Sequence, residues 1–123
     1  MPELLCVLDV LERPATFATA REKAWREAVR AAVADAKVSP RPDSWFSVRI
    51  EFRTPRPITP NDRWDIDNLV KPTLDAMEGI FGLRAWKGRP QPNDDRVTHL
   101  EASKRTVTDG DREGARIEVW LVG

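Results

Sequence analysis

Phe46-Ser47-Val48-Arg49-Ile50-Glu51-Phe52-Arg53 alternates apolar and polar residues without a break. Successive side chains of an extended chain point to opposite faces, so the stretch predicts a strand with one face on a core and the other turned outward. Arg49 and Arg53 fall on the outward face, which looks toward water by default. Ser39-Pro40-Arg41-Pro42-Asp43 marks the break before it.

Upstream of that break the period changes. Ala24-Trp25, Ala28-Val29, Ala32-Val33 and Ala36 recur every three to four residues, with Arg21, Glu22, Arg26, Glu27 and Arg30 between them. This predicts an amphipathic helix of about five turns running from Thr16, with Thr16 or Thr19 as its cap. Leu4 to Leu11 is rich in Leu and Val and closes at Glu12-Arg13-Pro14, which predicts a first strand.

Downstream, Thr54 to Arg63 holds Pro55, Pro57 and Pro60 and is a stiff connector. Val70, Leu74, Met77 and Phe81 then form a helical stripe, with Pro72 placed near its first turn. Gly79, Gly82, Gly88, Pro90 and Pro92 make residues 82–93 a loop. Arg96–Thr108 and Ala115–Val122 read as two strands, joined as a hairpin through Asp109-Gly110-Asp111. The order is β-α-β-α-β-β, an α+β fold in which a small mixed sheet carries two helices, with residues 1–123 as one domain.

The composition suits a globular domain, at 41% apolar and 33% charged residues. No apolar run approaches the ~18 residues of a membrane span, and the start of the chain has no basic leader, so a cytoplasmic protein with no membrane role is expected. Cys6 is the only cysteine, which excludes an intrachain disulfide and a multi-cysteine zinc site. Lys plus Arg and Asp plus Glu stand at 20 each, so net charge does not argue for a nucleic-acid partner. Charge is uneven, however: between residues 81 and 107, Arg84, Lys87, Arg89, Arg96, Lys104 and Arg105 outnumber Asp94, Asp95 and Glu101. A local basic surface is compatible with a neutral whole.

The connector delivers the chain to Asp65-Ile66-Asp67-Asn68-Leu69-Val70-Lys71, and a second acidic pair, Asp94-Asp95, follows. Asp67, Lys71 and Asp75 are spaced for an i,i+4 ion-pair ladder, with Asp67 serving as a cap, and that reading needs no chemistry. It leaves Asp65 unexplained. If the two acidic pairs converge at one end of the sheet, their mutual repulsion is relieved by a hard divalent cation. Such an ion polarises a phosphate and activates water, while a nearby ammonium neutralises developing charge. The set therefore suits metal-dependent phosphoryl chemistry.

The run Asp65-Ile66-Asp67-Asn68-Leu69-Val70-Lys71-Pro72, then Leu74-Asp75-Ala76-Met77, then Asn93-Asp94-Asp95-Arg96-Val97 before a strand bearing Lys104, resembles the RusA family of Holliday junction resolvases. The resemblance spans about residues 64–105. It implies a small α+β fold that dimerises and, with Mg²⁺ (Mn²⁺ as a substitute), cuts opposing strands of branched, four-way DNA. It further implies Asp65, Asp67 and Asp95 as metal ligands with Asp94 beside them, and Lys71 as the phosphate-facing catalytic lysine. Asn68 and Asp75 fall to supporting positions.

Two features depart from the family pattern: Glu12-Arg13-Pro14-Ala15-Thr16-Phe17 is short and scarcely basic, and the loop from Gly82 to Asn93 is long. Trp86, set among Arg84, Lys87 and Arg89, is a candidate to stack on an exposed base, and Lys104 a candidate phosphate contact. Trp25, Trp45 and Trp120 are expected in the core or a dimer interface, and Trp64 as a buttress of the motif. Two other readings stay open: a junction-binding accessory protein of the same fold without useful cleavage, and a nuclease for another nucleic acid.

Overall fold

A computed structural model describes residues 2–41, 43–59, 64–86, 88–92, 94–108 and 110–122. The alternating stretch becomes β2 (Trp45–Thr54), in which Phe46, Val48, Ile50, Phe52 and Thr54 are buried and the residues between them reach solvent. Two strands flank it, β6 (Gly114–Val122) antiparallel and β5 (Val97–Thr106) parallel. Beyond β6 lies β1 (Glu3–Val10), so the mixed sheet runs β1-β6-β2-β5.

Helices cover one face. In α1 (Glu22–Asp35) the buried residues are Trp25, Val29 and Val33, and in α2 (Ile66–Asp75) they are Leu69, Val70, Pro72 and Thr73. A short α3 (Glu78–Phe81) adds Ile80 and Phe81, the latter with its ring 5.0 Å from that of Phe46. Each fully buried side chain of this size contributes roughly 1.5–3 kcal/mol, so the layer between helices and sheet holds the domain together. The α+β class and the β-α-β-α-β-β order are those expected. A 3₁₀ turn at Asp94–Arg96 precedes β5.

Several local expectations are corrected. Helix α1 starts at Glu22, because the Thr19 hydroxyl donates to the Thr16 carbonyl (2.8 Å) rather than capping a helix. The second helix stops at Asp75, and Ala76 and Met77 depart from helical geometry before α3 begins. That break lets Gly79 lie against α1, where a Cβ would stand 2.7 Å from Val33 Cγ1. The stretch read as a loop contains a hairpin, β3 (Leu83–Trp86) with β4 (Arg89–Pro92). Gly88, at φ 76°, supplies its left-handed turn residue.

The last two strands do not form a hairpin, because β2 lies between them. Their connection crosses the end of β2, where Val107 N–H donates to the Thr54 carbonyl (2.9 Å) and Arg53 Nε to the Arg112 carbonyl (2.9 Å). Gly114 then enters β6 so close to β1 that a Cβ would collide with the Val10 carbonyl.

Among the described residues the outer face of the sheet carries no helix. Its charges are paired within the chain: Arg49 with Glu101 (3.6 Å), Arg53 with Asp9 (3.0 Å), Arg105 with Glu51 (3.4 Å) and Arg116 with Glu118 (3.3 Å). Arg105 also binds Asp111 at 2.8 Å. That guanidinium, with the Thr108 hydroxyl, holds the Asp111 carboxyl below its usual range. Among the described residues no helix is long and apolar enough to cross a membrane.

Candidate nuclease site

Asp65 ends the connector in an extended conformation (ψ 131°) and serves as N-cap of α2, its carbonyl accepting from Leu69 N–H at 3.0 Å. Its side chain makes no capping hydrogen bond, and Asp67 lies inside the first turn rather than at the cap. The capping role that would explain these carboxylates without chemistry is therefore not theirs. Both are exposed, as is Asn68.

One turn on, Lys71 Nζ lies 3.5 Å from Asp75 Oδ2 and 5.4 Å from the centre of the Phe17 ring. Asp75 is half-buried and Lys71 exposed, so the carboxylate anchors one side of the ammonium and leaves the rest to solvent. Exposed i,i+4 pairs contribute only a few tenths of a kcal/mol, so the pair orients the lysine more than it stabilises the helix.

Pro72 sits well past the first turn, contrary to the expected position, and brings no N–H for the carbonyl of Asn68 four residues back. That carbonyl accepts from Phe17 N–H at 2.9 Å. The loop after β1 is thereby tied to α2, and the half-exposed Phe17 ring comes to rest beside Lys71. Sequence reasoning missed Phe17; the signal available was a proline inside a helical pattern, which obliges some other donor to serve the orphaned carbonyl.

Across the rim, Lys104 projects from β5 on the helix side and donates to the Trp64 carbonyl at 2.6 Å. Trp64 is half-buried against the core, as a buttress of the motif should be. A hollow of about 290 Å³ lies here, bounded by Thr54, Pro57, Trp64, Asp65 and Lys104. Lysine and carboxylate on one rim suit a phosphate with a cation between them.

Asp94 and Asp95 lie elsewhere. Because β5 runs parallel to β2, Val97 pairs with Phe46 at the start of β2, and Lys104 pairs with Phe52 near its end. The seven residues from Val97 to Lys104 span on the order of 23 Å at ~3.3 Å each. Asp65 stands at the Lys104 end of β5, and Asp95 just before Val97 at the other end of that strand. Among the described residues no three His, Cys, Asp or Glu side chains form a group that would hold a metal ion.

Of the proposed DNA contacts, Arg84 and Trp86 lie on β3 and Arg89 on β4, with their side chains outside the described set, and Lys87 lies outside it altogether. His99 is exposed on the outer face, away from the acidic motif.

Over residues 10–120 the chain matches the family described as Endodeoxyribonuclease RusA. The chain belongs to the RusA family. The match covers α2, both acidic pairs and the strand bearing Lys104. Membership assigns the chain to the endodeoxyribonucleases that resolve Holliday junctions and act on branched DNA, and RusA nucleases are generally dependent on a divalent metal. No curated protein matches the chain.

Proposed function

We propose that this RusA-family chain is a Mg²⁺-dependent endonuclease that cuts four-way DNA junctions as a homodimer, working in the cytoplasm. The observation that supports the reading best is the unused acidic pair: the Asp65 carboxylate makes no capping hydrogen bond, Asp65 and Asp67 face solvent, and Asp67 stands one helical turn from Lys71. A DNA-binding accessory protein gains nothing from exposed carboxylates turned toward phosphates, since like charges repel.

Mg²⁺ is commonly held by one or two carboxylates, with water and phosphate oxygens completing its shell. Asp65 and Asp67 are hard oxygen donors of that kind, and Mn²⁺ accepts the same set. When bound, the ion supplies an activated water and a polarised phosphate. Lys71, oriented by Asp75, places positive charge where the attacked phosphate gathers negative charge. Lys104 offers a second ammonium on the rim of the hollow, where it positions the strand by its phosphates. Asn68 braces the turn through its carbonyl.

Asp95 and its neighbour Asp94 enter this reading on the sequence motif alone. A shared ion requires Asp67→Asn and Asp95→Asn to lose Mg²⁺ affinity alike, as read by calorimetry without DNA. An Asp95→Asn protein that binds Mg²⁺ like the wild type removes Asp95 from the ligand set. For the activity itself, a labelled four-way junction, a linear duplex and a single strand are incubated with Mg²⁺ or EDTA. Symmetrical, metal-dependent cutting confined to the junction, abolished by Asp67→Asn and slowed by Lys71→Ala with junction binding intact, is the expected result. Tight binding without cutting would leave the accessory-protein reading, and equal cutting of all three substrates a nuclease of broader range.

A further inference from the structure

We propose that Phe17 forms a base-stacking subsite beside Lys71, taking an unstacked base next to the phosphate that Lys71 faces and so selecting branched over linear DNA. The inference rests on the nuclease reading for its substrate and on the loop after β1 for its geometry. Phe17 is 50% exposed, and Lys71 Nζ lies over its ring, 5.4 Å from the centre. A large apolar ring so placed leaves much of its possible gain from burial unused. The loop that carries it is nevertheless fastened at consecutive residues. Phe17 N–H donates to the Asn68 carbonyl (2.9 Å), Ala18 N–H to Glu22 Oε1 (3.0 Å) and the Thr19 hydroxyl to the Thr16 carbonyl (2.8 Å). Ala18 is held at φ 65°, a left-handed conformation that costs an alanine energy and persists only where its surroundings over-determine it. The ring is thus presented on a backbone with little freedom left to lose on contact, which favours binding.

A phosphate and its base are joined through one sugar, so an ammonium and an aromatic ring set this close can each hold one part of the same nucleotide. Every base has a π-face, and stacking on an aromatic side chain takes any of the four. Within a continuous duplex the neighbouring bases cover that face, and freeing it costs least where pairing or stacking is already interrupted. The branch point of a four-way junction is such a place. Charge gives the chain little with which to tell the two apart, because phosphate contacts position DNA without distinguishing it. Basic and acidic residues balance at 20 each, and Arg13, the basic residue of Glu12–Phe17, is paired with Glu113 at 3.0 Å. Phe17 supplies the discrimination that the charges of this loop do not.

The test reads binding apart from cutting. Four-way junctions carrying the fluorescent base aminopurine at each branch-point nucleotide in turn are titrated with the intact chain, Ca²⁺ taking the place of Mg²⁺, beside a linear duplex. Fluorescence is expected to rise at one or more of these positions as the base leaves its neighbours. Phe17→Leu keeps an apolar side chain on the loop but offers no ring. It is expected to bind the junction on the order of 5- to 150-fold more weakly, to lose the rise in fluorescence, and to bind linear duplex like the wild type. Phe17→Tyr is expected to restore both, and circular dichroism melts establish that each variant is folded. A Phe17→Leu chain that matches the wild type on the junction overturns the proposal, as does a loss shared equally by linear duplex. So does a Phe17→Tyr chain no better than Phe17→Leu, or a wild type that leaves every branch-point base stacked. Failure of the nuclease reading looks different: a chain that unstacks the base through Phe17 yet cuts no junction in Mg²⁺.

Discussion

Replacing Thr73 by valine keeps the outline of the side chain and removes its hydroxyl. Thr73 is fully buried between α1 and α2, where its Oγ1 accepts from Trp25 Nε1–H at 2.9 Å and donates to the Leu69 carbonyl at 2.8 Å. In Thr73→Val the Leu69 carbonyl keeps its helical partner, but the Trp25 N–H is left buried with none. Orphaning a buried donor costs about 1–3 kcal/mol. At roughly 2.1 cal/mol/K of unfolding entropy per residue, the chain's 123 residues turn a loss of ~2 kcal/mol into a fall in Tm of about 8 °C. Thermal and urea unfolding measure this directly, and a Trp25→Phe background isolates the cause. With no indole N–H to orphan, Thr73→Val in that background should cost at least ~1 kcal/mol less, the size of coupling expected of residues in contact. Equal costs in both backgrounds, or no cost in either, would refute the assignment of this hydrogen bond as the clamp between the helices.

Gly79→Ala forces a Cβ to within 2.7 Å of Val33 Cγ1; overpacking of this kind costs about 1–3 kcal/mol, and Val33→Ala should relieve part of it in a double-mutant cycle read from urea midpoints. Lys104→Ala is expected to weaken junction binding and to reduce the log–log salt slope by about 0.9, one phosphate contact fewer, while Lys104→Arg preserves the slope; a slope unchanged by alanine removes Lys104 from the DNA surface. Burial pushes the Cys6 thiol above its ordinary pKa, so its thiolate is scarcer at neutral pH than that of free cysteine. Alkylation followed by mass spectrometry should be slower than for a free thiol, and its rate should rise with pH through a later midpoint.

The parts of the fold legible in the sequence were those governed by one dominant physical signal. Period-two alternation placed β2 and chose its buried face, and the spacing of Trp25, Val29 and Val33 marked the core stripe of α1. Caps were harder, because Thr16 and Thr19 are capping residue types that bond to each other instead. Strand pairing lay beyond reach: nothing local to Val97–Thr106 says that it joins β2 in parallel, yet that choice separates Asp95 from Asp65. Within the site, Asp67, Lys71 and Asp75 were legible because helical spacing fixes their relation. Phe17 was not, since its contact with Lys71 spans 54 residues of chain and rests on a single backbone hydrogen bond.

The carbonyl that Pro72 leaves for Phe17 makes the helix and the loop interdependent. A segment spanning α2 alone, transplanted into another scaffold, would carry its carboxylates and its lysine but also an unanswered acceptor at Asn68. The portable unit is longer and discontinuous, helix plus loop, because the two complete one another's backbone. Hydrogen exchange would see the same bond as a shared clock. Although it belongs to a loop, the Phe17 amide should exchange in step with α2, the rim and the wall of the site opening together.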